Sequence, residues 1–425
     1  MQPNNPIRFA GDVSIDKVRI ITSKGVYQDI TAQVITVQIY EDLFSPFITG
    51  SLIIKDSLDL VNLFPFAGEE QVELEISTPS LQRGNIKGRY YIYKLTDREL
   101  LGDRSVVYQL HFISPEAIVD LNKKVSKVFS GKISDIVDTF IKDKNYGLES
   151  TKKLFTEPTS NNIKYISNYW TPVQNIMHCA EASANQNKVP NYVFFENRDG
   201  FYYISLDSLY SADVYQNFVY DKYTRDDRKN SGSIRNIEED YRRITSISIP
   251  VGFDYIDRIR GGMLSSKIIS YDLTKKTYTA KNYNMFQNFD KQKHLNENPI
   301  SSDSSIFRAN SLIIDTPRNY GNFNGYGDVT KFKTTQQRIS LMKLAEANKL
   351  EITVPGRADY TVGQKVNVTL NKIEPITKKE QDITDKMFSG NYLISAINHY
   401  VDRNKHECHI ELVKETLQYN LDGKK

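Results

Sequence analysis

The sequence predicts a mainly β protein with α+β parts: two similar antiparallel β-barrel domains, a small α+β domain and a polar insertion. Three observations carry this expectation. One strand signature occurs twice, as Gly88-Arg-Tyr90-Tyr-Ile92-Tyr-Lys-Leu95 and as Gly390-Asn-Tyr392-Leu-Ile394-Ser-Ala-Ile397, both of the form G-x-Y-x-I-x-x-[LI]. Each copy follows a glycine turn and an alternating strand, Gly68 before Val72-Glu-Leu74-Glu-Ile76 and Gly363 before Val366-Asn-Val368-Thr-Leu370. Each precedes a further strand, Val106 to Phe112 in the first copy and Glu407 to Leu412 in the second. Agreement in order, turn glycines and strand phase marks an internal duplication. Between the copies the apolar spacing changes to that of helices.

The elements follow in order. Residues 1–115 form the first barrel domain, with β-rich runs at Val18–Ile21, Val34–Tyr40 and Gly50–Ile54 and a short helix over Ser57–Phe64. Residues 116–210 form the α+β domain. Ile133, Ile136, Val137, Phe140 and Ile141 share one helix face; a second helix starts at Thr171, with Pro172 in its first turn and Gln174 completing a capping box. Its apolar face is Val173, Ile176, Met177 and Ala180, and Tyr192–Phe195, Asn197–Gly200 and Phe201–Ile204 follow as a hairpin. Residues 211–260 and 335–425 make the second barrel domain. Strand character is expected over 234–260, ending its main run at Pro250, and a helix with Ile339, Met342 and Leu344–Ala347 inside. Residues 261–334, polar and weakly periodic, are expected to be an insertion with little core of their own. The copies differ by a longer turn between Leu95 and Leu110 in the first and a polar excursion from Lys372 to Lys386 in the second.

Composition narrows function. The 425 residues hold 55 Lys plus Arg and 52 Asp plus Glu, a formal net charge of +3, without the basic stripe of a nucleic-acid binder. Asp226–Lys229 and Tyr241-Arg242-Arg243 are short charged runs, broken by acids and read as solvated surface. Cys179 and Cys408 match no disulfide or zinc spacing, which suits a reducing compartment. Met1-Gln-Pro lacks signal-peptide features, and no run reaches the ~18 apolar residues that cross a bilayer. Synthesis in a reducing cytoplasm, with no membrane insertion, is expected. The 27 tyrosines suit either contact surfaces or a strand-rich core.

Chemistry-bearing motifs are few. His399, His406, Cys408 and His409 come nearest to a metal-ligand set. Strand alternation puts His406 and Cys408 on one face and His409 on the other, with His399 set apart; two ligands fall short of a closed or catalytic zinc site. Glu69-Glu70 and Glu238-Glu239-Asp240 are the acidic groups that a glycosidase would need, but neighbouring acids usually lie in solvated turns. Gly261-Gly262 reads as a hinge, and no hydrolase elbow, P-loop or dinucleotide fingerprint is present. No catalytic, cofactor or metal residue is therefore expected, and whether an ion binds near His399, His406 and His409 stays open.

The string Val354-Pro-Gly356-Arg-Ala-Asp359-Tyr-Thr-Val-Gly363, followed by Gly390–Ile397 and His409–Leu412, resembles the second barrel of the central baseplate hub proteins of contractile-tailed bacteriophages. Ile35–Phe44 with Gly50-Ser-Leu52 resembles their first-barrel opening, and Trp170-Thr-Pro with the 192–204 hairpin their small middle domain. The match touches most of the chain except 261–334. The resemblance implies a structural virion protein of the tail baseplate and not an enzyme. It implies a homotrimer with pseudo-six-fold symmetry, joining a trimeric spike or needle to the tail tube or its initiator beside other baseplate proteins, with DNA passing through its lumen. The hub of a phage-derived contractile injection system fits the same residues. A cell-wall polysaccharide hydrolase and a carbohydrate-binding adhesin are the alternatives from other classes.

Overall fold

The computed structural model describes residues 7–63, 67–79, 81, 84–102, 105–220, 237–252, 254–272, 276–302, 311–315, 329–372 and 384–421. Phe64, Asp226–Lys229, most of the Lys372–Lys386 excursion, and 303–310 and 316–328 of the expected insertion lie outside the described residues. The first β unit comprises β1 (Ser14–Ile21), β2 (Tyr27–Asp29), β3 (Val34–Asp42), β4 (Thr49–Asp56), the single turn α1 (Leu60–Leu63), β5 (Gln71–Ser77), β6 (Ile86–Leu100) and β7 (Val106–Ile113). The middle unit comprises α2 (Pro115–Asn122), β8 (Val128–Lys132), α3 (Ile133–Lys142), β9 (Leu154–Thr156), β10 (Asn162–Ile166), α4 (Pro172–Ala182), β11 (Tyr192–Asn197), β12 (Gly200–Ser205) and α5 (Leu206–Tyr210). Then come β13 (Val214–Tyr220), α6 (Ile237–Tyr241), β14 (Ser246–Val251), α7 (Tyr255–Arg260), β15 (Ser265–Asp272), β16 (Thr277–Asn284), β17 (Asn298–Pro299), β18 (Ser311–Asp315) and α8 (Val329–Ala345). The chain ends with β19 (Asn348–Pro355), β20 (Lys365–Leu370), β21 (Gly390–Asp402), β22 (His406–Lys414) and β23 (Thr416–Leu417).

The duplication is present at the level of single hydrogen-bonded pairs. The first unit is ordered β3-β4-β7-β6-β5-β1 and the second β14-β19-β22-β21-β20-β13. Val72 faces Tyr90 and Leu74 faces Gly88; correspondingly Val366 faces Tyr392 and Val368 faces Gly390. Ile92 faces Phe112 and Leu95 faces Leu110, as Ile394 faces Leu412 and Ile397 faces Ile410. Both long strands shift register at the same motif position, between Ile92 and Lys94 and between Ile394 and Ala396. A bulge repeated at one position is a designed bend rather than an accident. The units depart in one pairing: β1 runs antiparallel to β5, whereas β13 runs parallel to β20.

Strand alternation explains what each unit buries. β5 and β20 bury every second residue, Val72, Leu74 and Ile76 in one and Val366, Val368 and Leu370 in the other. The signature glycines serve different local needs. A Cβ on Gly88 would lie 2.7 Å from the Tyr90 ring, while Gly390 has φ +130° and packs on Asn296. Gly68 and Gly363, at the turns before these strands, both have positive φ.

Two separate closed barrels are not found among the described residues. The two units are instead parts of one 13-stranded sheet. The physical reason is the length of β21. Its first residues pair with β20, and beyond the bulge the same edge pairs antiparallel with β3, from Ala396 opposite Asp42 to Asp402 opposite Thr36. The expected longer turn after Leu95 is instead a strand extension, since β6 continues to Leu100. The expected strand character of 234–260 is interrupted by α6 and α7, the latter capped by the Asp254 side chain accepting from the Asp257 N–H.

In the middle unit α3 buries the five apolar residues that its spacing singles out. The Thr171 side chain accepts from Gln174 N–H while the Gln174 side chain accepts from Thr171 N–H, closing the capping box on α4. The polar segment after Gly261 has more core than its sequence suggests. Met263, Leu264, Tyr283, Met285 and Ile300 pack with Val189 and with Leu341 and Leu344 of α8. Ile339 is only half-buried, and Leu341 takes the inward position. Scattered apolar residues in short irregular pieces leave no periodic signal.

Thr171→Ala is expected to cost about 1 kcal/mol by removing the cap. Urea unfolding monitored by circular dichroism measures it; a midpoint equal to that of the parent protein would show that the box adds nothing.

Candidate functional site

The β11–β12 hairpin tip sits where all three units meet, and buried charges fix it there. Arg198 N–H donates to Glu41 Oε1 of β3 at 3.0 Å. Glu41 Oε2 accepts from the Thr361 hydroxyl and from Val362 N–H at 3.2 Å, both in the loop between β19 and β20. The Arg198 guanidinium donates to the carbonyls of Gly84 and Ala358, one from each β unit. Nearby, Glu196 Oε2 accepts from Ile48 N–H at 3.1 Å, and Lys152 bridges Glu116 and Glu196 at 2.7 and 2.5 Å. Burial pushes the Glu41 carboxyl up to about 7, against its hydrogen bonds from Thr361 and Val362 and the Arg198 charge. Burial alone would lower Lys152, but the Glu196 and Glu116 carboxylates hold it above its ordinary value. A second buried cation, Lys414, donates to the carbonyls of Met387 and Ser389 and lies 4.7 Å from the Tyr392 ring; burial pulls it down to about 7.

Two strand edges of the sheet are open among the described residues. β14 terminates the sheet path, so one of its edges has no strand partner among the described residues. The part of β6 beyond Lys94 pairs only with β7, and its other edge is likewise unpaired among the described residues. Leu100 is 82% exposed, and Leu101, Tyr93 and Ile249 are also exposed large apolar residues on or beside these edges. Between the units lies an open concavity of about 410 Å³ whose lining includes Tyr40, Ser248, Glu351, Thr353, Asn398 and His409.

The chemistry-like residues of the sequence distribute as follows. Glu70 is buried and its carboxylate accepts from Ala67 and Gly68 N–H, closing the turn before β5, while Glu69 is exposed. Glu238, Glu239 and Asp240 form the first turn of α6. Arg242 is exposed beside them, and Tyr241 is buried under the Arg357 guanidinium. Gly262 has a positive φ and turns the chain after α7. His409 points away from Cys408 to the outer face and bonds Thr353 Oγ1 at 3.1 Å. His399, expected to stand apart, is instead directly across from Cys408, because the β21–β22 register pairs the two residues. Glu41, Lys152, Glu196 and Arg198 gave no sequence signal, since each acts through partners far along the chain.

No protein-family model matches the sequence, and no curated protein matches it. Solved structures do. A tail protein from Neisseria meningitidis MC58 superposes with a TM-score of 0.55, at 13% identity, over 94% of this chain and 96% of its own. The 43 kDa tail protein of prophage MuSo2 from Shewanella oneidensis superposes with a TM-score of 0.54, at 10% identity, over 94% and 98%. The chain shares the fold of these two tail proteins. This agrees with the resemblance carried by the strand motifs, and the shared fold runs through nearly the whole of each chain. Among the described residues no helix is long and apolar enough to cross a membrane.

Lys152→Met is expected to destabilise the protein by about 3–5 kcal/mol, because Glu116 and Glu196 are left buried without their cation; denaturant titration at neutral pH measures it. Glu41 gives a pH signature. An acid whose folded pKa exceeds its unfolded one holds its proton more tightly when folded. Its contribution is greatest below the ordinary 4.5 and declines as pH rises to about 7. Subtracting the pH–stability profile of Glu41→Gln from that of the parent protein should leave that decline; a flat difference would show that the carboxyl is not shifted.

Proposed function

We propose that this chain is the central hub of a contractile-tail baseplate: a non-enzymatic homotrimer in which six related β units surround one axis. The observation that carries the proposal is a mismatch inside the duplication. Within the chain, β21 of the second unit pairs with β3 of the first. The equivalent strands are β6 and β14, and each has an edge without a strand partner among the described residues. Heterologous joining of β6 from one protomer to β14 of the next repeats the intrachain seam and closes a ring after three copies.

The register supports this pairing. Strand-for-strand equivalence places Glu99 where Tyr400 stands and Ser248 where Gln38 stands; Tyr400 and Gln38 are paired in the intrachain seam. It likewise sets Leu100 opposite Ile247, as Val401 is opposite Val37. Relative to that seam, β6 carries one extra residue between Thr96 and Glu99, and β14 one extra residue between Ser248 and Val251. The two extensions match each other. Such a joint covers edges that would otherwise invite indiscriminate strand pairing.

Three chains with two like units each present a near-six-fold face to a tail tube and a true three-fold face to a trimeric spike. Other baseplate proteins would dock around the ring, and DNA would pass through its lumen without sequence-specific contact. The location is the virion tail, after assembly in the host cytoplasm. The acidic groups that a hydrolase would use serve a turn and a helix start, so the hub reading needs no catalytic residue.

Glu99→Cys combined with Ser248→Cys is expected to yield disulfide-linked trimers under mild oxidation, with neither single variant doing so. Light scattering of the unmodified protein should give a trimeric mass. Monomer at high concentration, even with the spike partner present, would overturn the trimer; a trimer that the cysteine pair fails to link would overturn this joint.

A further inference from the structure

Outside the junction, the β21–β22 hairpin gathers three ligand-type side chains. His399, His406 and Cys408 are all buried, with exposures of 0%, 1% and 0%. His399 Nδ1 lies 3.0 Å from His406 Nε2, and Cys408 Sγ lies 3.4 Å from the first and 3.5 Å from the second. A tetrahedral zinc centre with ordinary Zn–N and Zn–S bonds separates its donors by roughly 3.3 Å for N···N and roughly 3.5 Å for N···S. The observed triangle is within a few tenths of an ångström of that face.

His399 Nε2–H donates to Tyr360 O at 3.1 Å, so Nδ1 presents a lone pair to the other two residues. His406 Nδ1 is buried without a partner. With its proton on Nε2, His406 bonds His399 but keeps a bare buried Nδ1; with the proton on Nδ1, two ring lone pairs face each other across 3.0 Å. The second tautomer is the one that an ion between the rings would hold, since the ion takes both facing lone pairs. The pocket is shaped around the rings as well: a Cβ on Gly356 would fall 2.2 Å from the His406 ring. Asp359 and Glu41 contribute negative charge nearby and Arg198 positive charge. Burial pulls both imidazoles below the ordinary histidine value and pushes the Cys408 thiol up.

We infer that His399, His406 and Cys408 form a binding site for a thiophilic transition-metal ion, Zn²⁺ or Cu⁺. Binding takes lone pairs from His399 Nδ1, His406 Nε2 and Cys408 Sγ and releases the thiol proton to solvent. Thiolate and imidazole donors select these ions over Mg²⁺ or Ca²⁺. The first β unit has no counterpart, since Val106 and Tyr108 stand where His406 and Cys408 stand in the second. The ion would staple the hairpin to the 356–363 loop through the Tyr360 carbonyl, at the seam of the two β units.

The test uses full-length protein purified without a metal-chelating tag from zinc- or copper-supplemented medium, with metal content read by plasma mass spectrometry. A single equivalent is expected in the parent protein and in His409→Ala, with at least a tenfold loss in Cys408→Ser and His399→Gln. The ion retained distinguishes zinc from copper. Because those variants alter a buried cluster, metal-stripped parent protein is also titrated with Co²⁺ alone. A thiolate-to-cobalt charge-transfer band and release of one proton per ion support the site. A folded parent protein that retains neither ion and gives no cobalt band overturns it, as does a metal content unchanged in Cys408→Ser.

Discussion

Backbone hydrogen bonds between β21 and β3 turn two copies of one strand motif into a single sheet, and the rest of the molecule is arranged around that joint. The pairing spans seven residues of β21, from Ala396 to Asp402. It follows directly on the bulge at Ser395, whose carbonyl accepts from Leu43 N–H at 2.7 Å. A bulge bends a strand and raises its twist. Here it frees β21 from β20 in time to meet β3. Without the bend, one strand could not serve two partners along the same edge.

The joint also explains why charges are buried where they are. Glu41 lies in β3 opposite Ile397, next to the bulge at the start of the seam, and its carboxylate reaches the loop before β20 and the hairpin of the middle unit. A buried carboxylate is an expensive way to hold three elements together, since apolar packing is often as stable. What it supplies is directionality. Glu41, Arg198 and Lys152 accept only partners at defined positions, so the three units have one satisfied arrangement, whereas the flanking apolar clusters would tolerate small slides. Relative orientation matters most in a protein whose proposed role is to present repeated surfaces at fixed angles.

The legible part of this structure was local. Alternation placed the faces of β5 and β20, helical spacing gave α3, and Thr171 with Gln174 marked the start of α4, because each signal lies within a few residues. Repetition did more than any single motif: it matched strands more than 290 residues apart in sequence, and their observed registers agree residue for residue. The joint itself left no trace, since nothing in Val34–Asp42 says which distant strand it will meet. The same limit hid His399. Alternation along β22 sorts His406, Cys408 and His409 correctly between faces, but only the cross-strand register shows that His399 completes the group. Barrel closure was not legible for a related reason: edge partners are a tertiary property, and a strand pattern consistent with a barrel is equally consistent with an open sheet extended by its neighbour.

Unequal evolution of the two copies then has a physical sense. Gly50 lies under the Phe112 ring in the first unit, and the corresponding positions in the second are Leu350 and Leu412, so volume moves between strands while the pairing is kept. Such exchange preserves packing density at nearly constant backbone geometry. The edges behave differently. In β21 the distal half is covered by β3 and buries Ile397, His399 and Val401; in β6 the distal half keeps Lys94, Asp97, Arg98 and Glu99 exposed around Leu100. Charged residues flanking an apolar one are what an edge needs if it must stay soluble alone and still pair with a single partner. Core positions therefore differ between the copies by exchanged volume, and edge positions by charge and cover. That division is what a duplicated unit requires if one of its two seams is made within the chain and the other, as proposed, between chains.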